Sequence, residues 1–330
     1  MSDASDFAVD EPRYLDAYLG PLLPILSRTD VTDIYINCPG ELWCETVGGG
    51  IERHACTDLT EARLWRLARQ IAAVSHQGIS RAHPLLSASL PDGSRVQIVA
   101  PPATRGTMAI AIRKHVVADL TLADYAASGA FAKARVGEGS RDGLAPPPAG
   151  DGIDAYLAEA VRARRTIMVS GGTSTGKTTF LNALMKEIPA DERLLIIEDT
   201  PELQLAHANA VGLVATRGEL GEARVTQEDL LQATLRMRPD RIILGELRGV
   251  EAYTFLRAIN TGHPGSLSTI HANSPAGAIE QLALLVLQSG TQLHKQDIVD
   301  YVRGAVDIFV QLGRSDGKRA ITEIMVPQAG

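Results

Sequence analysis

The residues with the most specific chemistry form the segment GGTSTGKT, Gly171 to Thr178. It follows a short apolar run, RRTIMVS (164–170), and precedes a helix-like pattern, TTFLNALMKEI (178–188). Glycines let the backbone curl until several N–H groups face one phosphate, and the start of the helix adds a favourable dipole. The lysine supplies charge to the β- and γ-phosphates, and the hydroxyl after it is a ligand for Mg²⁺. The segment therefore predicts nucleotide binding.

An accidental match is the alternative for any short motif. From average residue frequencies, G-x-x-x-x-G-K-[ST] arises in a chain of this length about 1% of the time. The strand–loop–helix context makes an accident rarer still. The predicted nucleotide-binding residues are Gly171, Gly172, Thr173, Ser174, Thr175, Gly176, Lys177, Thr178 and Thr179.

Acidic residues end two other apolar, strand-like runs. LLIIEDT carries Glu198 and Asp199, and RIILGE ends at Glu246. The carboxyl ends of parallel strands meet at one edge of a sheet, so we expect these acids to converge on Lys177 and Thr178. We predict that Glu246 orients the attacking water and that Glu198 supports the site, with Mg²⁺ held by Thr178 and, through water, by Glu246 or Glu198. Helix capping or a surface turn is the competing interpretation for Glu198 and Asp199.

Two histidines, His263 and His271, lie in the segment TGHPGSLSTIHANSP (261–275). A zinc site needs three or four ligands, and the only cysteines are far away in the sequence, so a metal site here is disfavoured. A buried structural role competes, above all for His263 beside a proline. Our hypothesis is that neutral imidazoles, with the hydroxyls of Ser268 and Thr269, sense the γ-phosphate.

The C-terminal half alternates strand-like and helix-like patterns from residue 153 onward. RLLIIED (193–199) and DRIILGE (240–246) are apolar enough to be buried on both faces, as central strands usually are. Strands that alternate with crossover helices predict an α/β fold with a mostly parallel sheet. The helix patterns lie at 225–237, 249–260 and 274–290.

The N-terminal half has a different pattern. Short alternating runs at 31–37, 90–102 and 107–115 predict strands, and 59–75 has the apolar spacing of a helix with Thr60 as N-cap. This predicts a smaller α+β domain. Residues 134–152 are rich in Gly, Pro and charge and predict a flexible linker. The predicted organisation is an N-terminal domain at 1–133, a linker at 134–152 and the α/β domain at 153–330.

Composition limits the class of protein. The formal net charge of -7 argues against broad non-specific nucleic-acid binding. The three cysteines, Cys38, Cys44 and Cys56, are odd in number and fit a reducing cytoplasm. We see no apolar run near the ~18–20 residues of a membrane span and no signal peptide at the acidic N-terminus. We therefore expect a cytoplasmic protein whose membrane contact is peripheral.

Three segments in register resemble the secretion traffic ATPases. GGTSTGKT, RLLIIEDTPEL and LRMRPDRIILGELRGVEAYTFLRAINTGHPGSLSTIHANSP are similar to the P-loop, the "Asp box", and the Walker B and "His box" of that superfamily, through most of 164–285. The resemblance implies a RecA-like P-loop NTPase domain that uses ATP and Mg²⁺. It also implies a homo-hexameric ring on the cytoplasmic face of the inner membrane. The implied partners are secretion channel proteins and a coupling ATPase, with nucleic acid present only indirectly, as cargo.

The N-terminal half resembles one branch of the superfamily. VTDIYINCPGELW and LPDGSRVQIVAPP…AIRK are similar to the type IV secretion and conjugation branch, the VirB/TrbB class. Type II secretion and pilus-extension ATPases carry a four-cysteine zinc module, and no cysteine follows residue 56 here. Pilus-retraction motors and the tight-adherence pilus branch remain alternatives.

The resemblance also assigns residues. Glu198 and Asp199 match the Asp box, Glu246 matches Walker B, and His263 and His271 match the His box.

Two arginines of the N-terminal half, Arg95 and Arg113, match residues that reach the nucleotide phosphates in relatives. A guanidinium arriving from another domain would couple domain closure to hydrolysis, although arginines on strands are usually solvated. We interpret the cluster Arg236, Arg238 and Arg241 as structural or subunit-interface charges.

Other classes of function remain open at this point. A RecA-like helicase is disfavoured by the acidic balance and by an aromatic content of only 4%. A nucleotide-gated scaffold with little turnover is not excluded by the sequence. A small-molecule kinase would need an acceptor pocket, and residues 190–330 carry no second binding motif.

Overall fold

The computed structural model describes residues 11–47, 49–114, 119–137, 143–215, 225–315 and 318–328. Their contacts divide these residues into two units, the first reaching Lys114 and the second beginning at Asp119. Within the described residues, no helix is long and apolar enough to cross a membrane.

The first unit is built on an antiparallel sheet of six strands in the order β3-β2-β1-β6-β5-β4. Its elements are α1 (Glu11–Leu19), α2 (Leu23–Leu26), β1 (Val31–Ile36), β2 (Gly40–Thr46), β3 (Ile51–Cys56), α3 (Glu61–Val74), β4 (Leu85–Ser89), β5 (Arg95–Val99) and β6 (Ala109–Arg113). Helix and antiparallel sheet together confirm the predicted α+β class of this part.

Helix α3 begins and packs as its sequence predicts. The Thr60 hydroxyl accepts a hydrogen bond from the Arg63 backbone N–H at 3.2 Å, which satisfies one of the free donors of the first turn. Leu64, Leu67 and Ile71 are spaced three or four residues apart, so they share one helix face, and all three are buried. The polar face of the helix remains toward solvent.

The second unit holds an eight-stranded sheet in the order β10-β9-β11-β12-β8-β13-β14-β7. All neighbours are parallel except the hairpin β13–β14. Its elements are α4 (Leu122–Ala127), β7 (Arg135–Val136), α5 (Ile153–Arg162), β8 (Ile167–Gly171), α6 (Lys177–Met185), β9 (Leu194–Glu198), β10 (Ala210–Val214), α7 (Gln227–Thr234), β11 (Arg241–Leu247), α8 (Glu251–Thr261), β12 (Leu267–Ile270), α9 (Pro275–Gln288), α10 (Lys295–Ala305), β13 (Ile308–Ser315) and β14 (Lys318–Met325). The predicted α/β class with a mostly parallel sheet is confirmed.

Each face of this sheet has its own apolar core, because successive side chains of a strand point to opposite faces. Ile167 and Val169 of β8 belong to the core that includes α5 and α6. Met168, between them, belongs to the core that includes α8, α9 and α10. Strands such as β8 and β9 thus contribute apolar side chains to both cores, which explains their apolar runs.

The range 134–152, which we predicted to be a flexible linker, contributes structure to the second unit. Its strand β7 pairs in parallel with β14, and the Gly137 N–H donates to the Ile324 carbonyl at 2.9 Å. Leu144 packs against the apolar core. Strand pairing uses backbone groups, which composition does not report, so a Gly/Pro-rich segment can be bound in place. Residues 138–142 lie outside the described part.

The division between the units also differs from the predicted boundary at 133. Helix α4 lies before residue 133, yet its Leu122 and Tyr125 are buried in the core of the second unit. The Tyr125 ring meets Phe180 of α6 edge-on, with ring centroids 5.0 Å apart. Two buried side chains on one short helix are too weak a periodic signal to show which domain they join.

Candidate nucleotide-binding site

The segment from Gly171 to Gly176 forms a tight loop between β8 and α6. Ser174 has φ 60° and Gly176 has φ 93°, so the backbone turns through the left-handed region twice. A side chain at Gly171 would put its Cβ 2.5 Å from Thr175 Oγ1 and 3.0 Å from the Leu312 carbonyl oxygen. Only glycine fits there. The loop ends at the first residue of α6, whose free N–H groups and dipole favour a phosphate.

Lys177 is buried beside this loop, with 9% of its side chain exposed. Its ammonium donates to the carbonyl oxygens of Gly171 at 3.0 Å and Gly172 at 3.2 Å. Glu246 Oε1 is 3.7 Å from Lys177 Nζ. Burial lowers the pKa of Lys177, and the nearby Glu246 carboxylate acts in the opposite direction. The Lys177 ammonium is thus bonded to two loop carbonyls and only loosely paired with Glu246, so phosphate oxygens could replace these partners.

Glu246 and His271 meet because β11 and β12 are parallel neighbours in the sheet. His271 Nε2 is 2.9 Å from Glu246 Oε1. This contact is an ion-pair distance without hydrogen-bond geometry, and the buried Glu246 Oε1 has no hydrogen-bond partner among the described residues. Burial lowers the pKa of His271, with Glu246 opposing that shift. The 3.4 Å contact between Lys177 Nζ and His271 Nε2 has hydrogen-bond geometry, with the ammonium donating and the unprotonated ring nitrogen accepting.

Arg248 joins this cluster, and the sequence analysis did not identify it. It pairs with Glu246, and its Nη1 is 3.4 Å from Asp199 Oδ2. Its spacing in the sequence could have indicated it. Residues two apart along an extended chain share a face, so the arginine of GELR is placed beside Glu246. Asp199 is therefore connected to the site by its ion pair with Arg248.

The loop after β9 supplies a second missed residue, Glu202. Its carboxylate accepts a hydrogen bond from the Thr178 hydroxyl at 2.9 Å. Glu198 Oε1 holds the loop by accepting from the backbone N–H groups of Glu202 and Leu203, each at 2.8 Å. Gly245 leaves room for this arrangement, since a Cβ there would lie 3.3 Å from Glu198 Cγ. Glu198 thus takes the turn-capping role that competed with catalysis, and it positions Glu202 beside Thr178.

Comparison with known proteins agrees with this geometry. The family described as "Type II/IV secretion system protein" matches residues 148–310. The type IV secretion system protein VirB11 of Brucella suis is 41% identical over 344 aligned residues, which cover 98% of this chain and 95% of the relative. The chain belongs to the VirB11 family of type IV secretion ATPases. The type IV secretion system protein PtlH of Bordetella pertussis is 39% identical, over 96% of this chain and 95% of its own length.

Solved structures give the same family. The crystal structure of the Brucella suis VirB11 ATPase in complex with sulphate covers 95% of this chain and 97% of its own, at 41% identity and a TM-score of 0.51. The pilus retraction motor PilT with bound ADP has a TM-score of 0.62 at 20% identity, over 95% of this chain and 82% of its own. At that identity the PilT likeness shows the fold alone. The family thus decides for the type IV secretion branch and against the pilus-retraction alternative.

His263 does not join the site that His271 occupies. It precedes β12, whereas His271 follows it, so the two histidines lie at opposite edges of the parallel sheet. His263 Nδ1 donates to the Pro239 carbonyl at 3.1 Å. The Ser268 and Thr269 hydroxyls donate to the carbonyls of Leu244 and Gly245 at 2.7 Å each. These contacts hold the three side chains against backbone carbonyls at or just before β11, and β12 separates His263 from the phosphate loop. They give no support to our hypothesis that the three residues sense phosphate, which stays a prediction for them.

The arginines of the first unit lie opposite each other on paired strands. Arg95 of β5 and Arg113 of β6 are register partners, so both side chains leave the same face of the sheet. Arg113 Nε is 2.9 Å from Asp33 Oδ1, and this hydrogen bond raises the pKa of Arg113. The two arginines form one cationic position within the first unit.

Proposed function

We propose that this VirB11-family ATPase hydrolyses ATP in an Mg²⁺-dependent reaction. It works as a homo-hexameric ring peripherally bound at the cytoplasmic face of the inner membrane. There it drives substrate translocation or pilus assembly by a type IV secretion system. The observation that carries the proposal is the placement of one carboxylate, Glu246, against both Lys177 and His271 beside the phosphate loop.

The chemistry assigns one task to each group. Lys177 and the α6 N-terminus bind the β- and γ-phosphates. Glu246 orients the attacking water and accepts its proton while the water oxygen bonds to the γ-phosphorus and ADP leaves. His271 Nε2 lies 3.4 Å from Lys177 Nζ and 2.9 Å from Glu246 Oε1, so its imidazole responds to the γ-phosphate that Lys177 binds and distinguishes the states before and after cleavage.

The donors around Thr178 suit a magnesium ion. Its hydroxyl contacts the Glu202 carboxylate, and Glu198 and Asp199 are close in sequence on the same loop. Oxygen ligands are what Mg²⁺ prefers. We propose Thr178 as the direct ligand, with Glu246 or Glu198 acting through water and Glu202 as a further candidate. Bound Mg²⁺ would neutralise charge on the β- and γ-phosphates.

Arg95 and Arg113 of the first unit are proposed as further phosphate-binding residues. Their shared face supplies two guanidinium groups, which suit phosphate oxygens by geometry as well as charge. Arg113 would exchange Asp33 for phosphate. The proposed macromolecular partners are inner-membrane secretion channel proteins and a coupling ATPase, with nucleic acid present only as cargo.

Two substitutions test the activity in the purified full chain by phosphate release and nucleotide binding. Lys177→Ala should lose both binding and hydrolysis, because the phosphates lose their buried cation. Glu246→Gln should still bind ATP but hydrolyse it about 100-fold or more slowly, since the amide does not accept the water proton. Arg236→Gln, at an exposed position, is the control. Wild-type rates in both variants would contradict the proposal.

A further inference from the structure

Three side chains with metal-binding atoms meet on the sheet of the first unit. Cys44 of β2 lies opposite Glu52 of the edge strand β3. His54 is two residues further along β3, so it shares a face with Glu52. All ligand atoms of the three residues lie within 4.8 Å of one another. The register of one hairpin therefore brings together a thiol, an imidazole and a carboxylate.

The distances within this cluster match the edges of a zinc tetrahedron. Cys44 Sγ is 3.5 Å from His54 Nε2 and 3.7 Å from Glu52 Oε2, and Nε2 is 3.1 Å from Oε2. Ordinary zinc–ligand bond lengths at tetrahedral angles place sulfur about 3.5 Å from nitrogen or oxygen, and nitrogen about 3.3 Å from oxygen. One ion can therefore contact all three atoms with shifts of a few tenths of an ångström.

The surroundings hold the ligands in place and leave one side open. The Cys44 side chain is fully buried in the apolar core, whereas Glu52 and His54 are partly exposed. Arg28 grips the Glu52 carboxylate with two hydrogen bonds, of 2.6 and 3.0 Å, and also pairs with Asp30. A carboxylate has about four lone-pair positions, so Glu52 can accept from Arg28 and still ligate a cation. Such outer contacts orient metal ligands.

We propose that Cys44, Glu52 and His54 bind one Zn²⁺ ion, with water at the fourth position. On binding, the Sγ–H bond of Cys44 breaks, its proton goes to solvent, and the thiolate sulfur bonds to the metal. His54 ligates through the Nε2 lone pair, so the hydrogen of the neutral ring moves to Nδ1, and bonds to the metal replace the contact between Nε2 and Glu52 Oε2. The charges then balance: two ligand anions offset the ion, and Arg28 offsets Asp30. The ion would clamp β3, the edge strand, onto β2. None of these three residues is among those assigned to nucleotide binding.

Cobalt titration of the chelator-treated full chain tests the site. Co²⁺ bound by a thiolate gives a sulfur-to-cobalt absorption band, which Co²⁺ held only by Glu246 and His271 does not give. We expect one equivalent of Co²⁺ to produce the band and one equivalent of Zn²⁺ to remove it. Zn²⁺ should also raise the thermal midpoint of the wild type, because it binds the folded chain.

Variants assign the ligands. Cys44→Ser should abolish the band and the zinc-dependent stabilisation, and His54→Gln should weaken Co²⁺ binding by about tenfold or more. Cys56→Ser is the matched control, because Cys56 lies on the same face of β3 as His54. Circular dichroism checks that each variant folds. A folded wild type without the band, or equal loss in Cys56→Ser and Cys44→Ser, would overturn the proposal and leave a hydrogen-bonded cluster without metal.

Discussion

Two ionic clusters lie at opposite ends of the strands of the eight-stranded sheet, and their contacts differ. At the end where β11 begins, Arg241 is fully buried and pairs with Glu192 through two hydrogen bonds, of 2.7 and 2.9 Å. Its remaining Nη1 donates to the Val161 and Gly265 carbonyls. Near the end of β11, Glu246 meets Lys177 at 3.7 Å and His271 at 2.9 Å.

The difference separates an ion pair whose groups satisfy each other from one whose groups can change partners. Arg241 and Glu192 satisfy each other with ideal fork geometry and have no reason to exchange partners. Lys177 bonds to its own loop, is kept from Glu246 by more than hydrogen-bond length, and has a pKa lowered by burial. A group with substitutable partners can bind a substrate without first breaking the fold. The structural interpretation of Arg241 is thereby confirmed.

The sharpest way to break the structural cluster is Arg241→Gln. It removes the buried partner of Glu192 and leaves only the half-exposed Arg164, whose Nη2 is 3.4 Å from Glu192 Oε2. We expect this to lower the free energy of unfolding by about 3–5 kcal/mol. Denaturant unfolding of the full chain measures the loss. The neighbouring Arg236→Gln, at an exposed position, should change stability by less than about 0.5 kcal/mol. Equal stability of the two variants would show that the buried pair contributes nothing.

The two histidines lie at opposite ends of β12, so substituting each one in turn compares the two clusters. His271→Ala removes the imidazole beside Glu246 and Lys177 and should slow ATP turnover on the order of 100-fold while stability stays close to wild type. His263→Ala removes only the bond to Pro239, so it should cost about 1 kcal/mol of stability and leave turnover intact. Phosphate release and thermal unfolding separate these effects. If His263→Ala were the slower enzyme, the assignment of the two clusters would be reversed.

A smaller effect is expected inside β12. Ser268→Ala leaves the Leu244 carbonyl without its side-chain donor, at a cost of about 1 kcal/mol. ATP hydrolysis should be unchanged, because the hydroxyl bonds to β11 and not toward the phosphate loop. Steady-state kinetics that show a raised KM for ATP would support the phosphate-sensing hypothesis for this residue.

The smallest effect is a pH dependence of stability in the cluster around Glu246. Burial holds the pKa of His271 below its ordinary value of 6.5, so the unfolded chain binds more protons in the window beneath 6.5. Stability therefore falls as pH is lowered through that window, and His271→Gln should lack this contribution. Chemical unfolding of both proteins across the window measures the difference. A wild type that gained stability relative to the variant on acidification would contradict the sign.

Local patterns predicted much of the fold and the centre of the site. Each of three features depends only on a few neighbouring residues: the GGTSTGKT loop, the Thr60 cap and the apolar runs of the strands. The structure contains all three. Glu202 escaped prediction because its role depends on how Glu198 caps the loop between them. Hydrogen bonds to a backbone N–H leave no trace in composition.

Long-range pairing accounts for the other omissions. β7 is held by β14, nearly two hundred positions later in the chain, so the Gly/Pro-rich composition of 134–152 was misleading. The grouping of Cys44, Glu52 and His54 depends on the register of the β2–β3 hairpin, which the sequence pattern left undetermined.

The crowding at Gly171 has a consequence for how the molecule is made. The wall beside this glycine is Leu312 of β13, and Arg319 of β14 lies against Gly176 at the other end of the loop. Strand β8 lies between β12 and β13, so both of its neighbours in the sheet follow the loop in the chain. A nascent chain carries the whole GGTSTGKT segment long before it has the scaffold that shapes it. Residues translated well after the GGTSTGKT segment thus form part of the wall against which this loop is shaped.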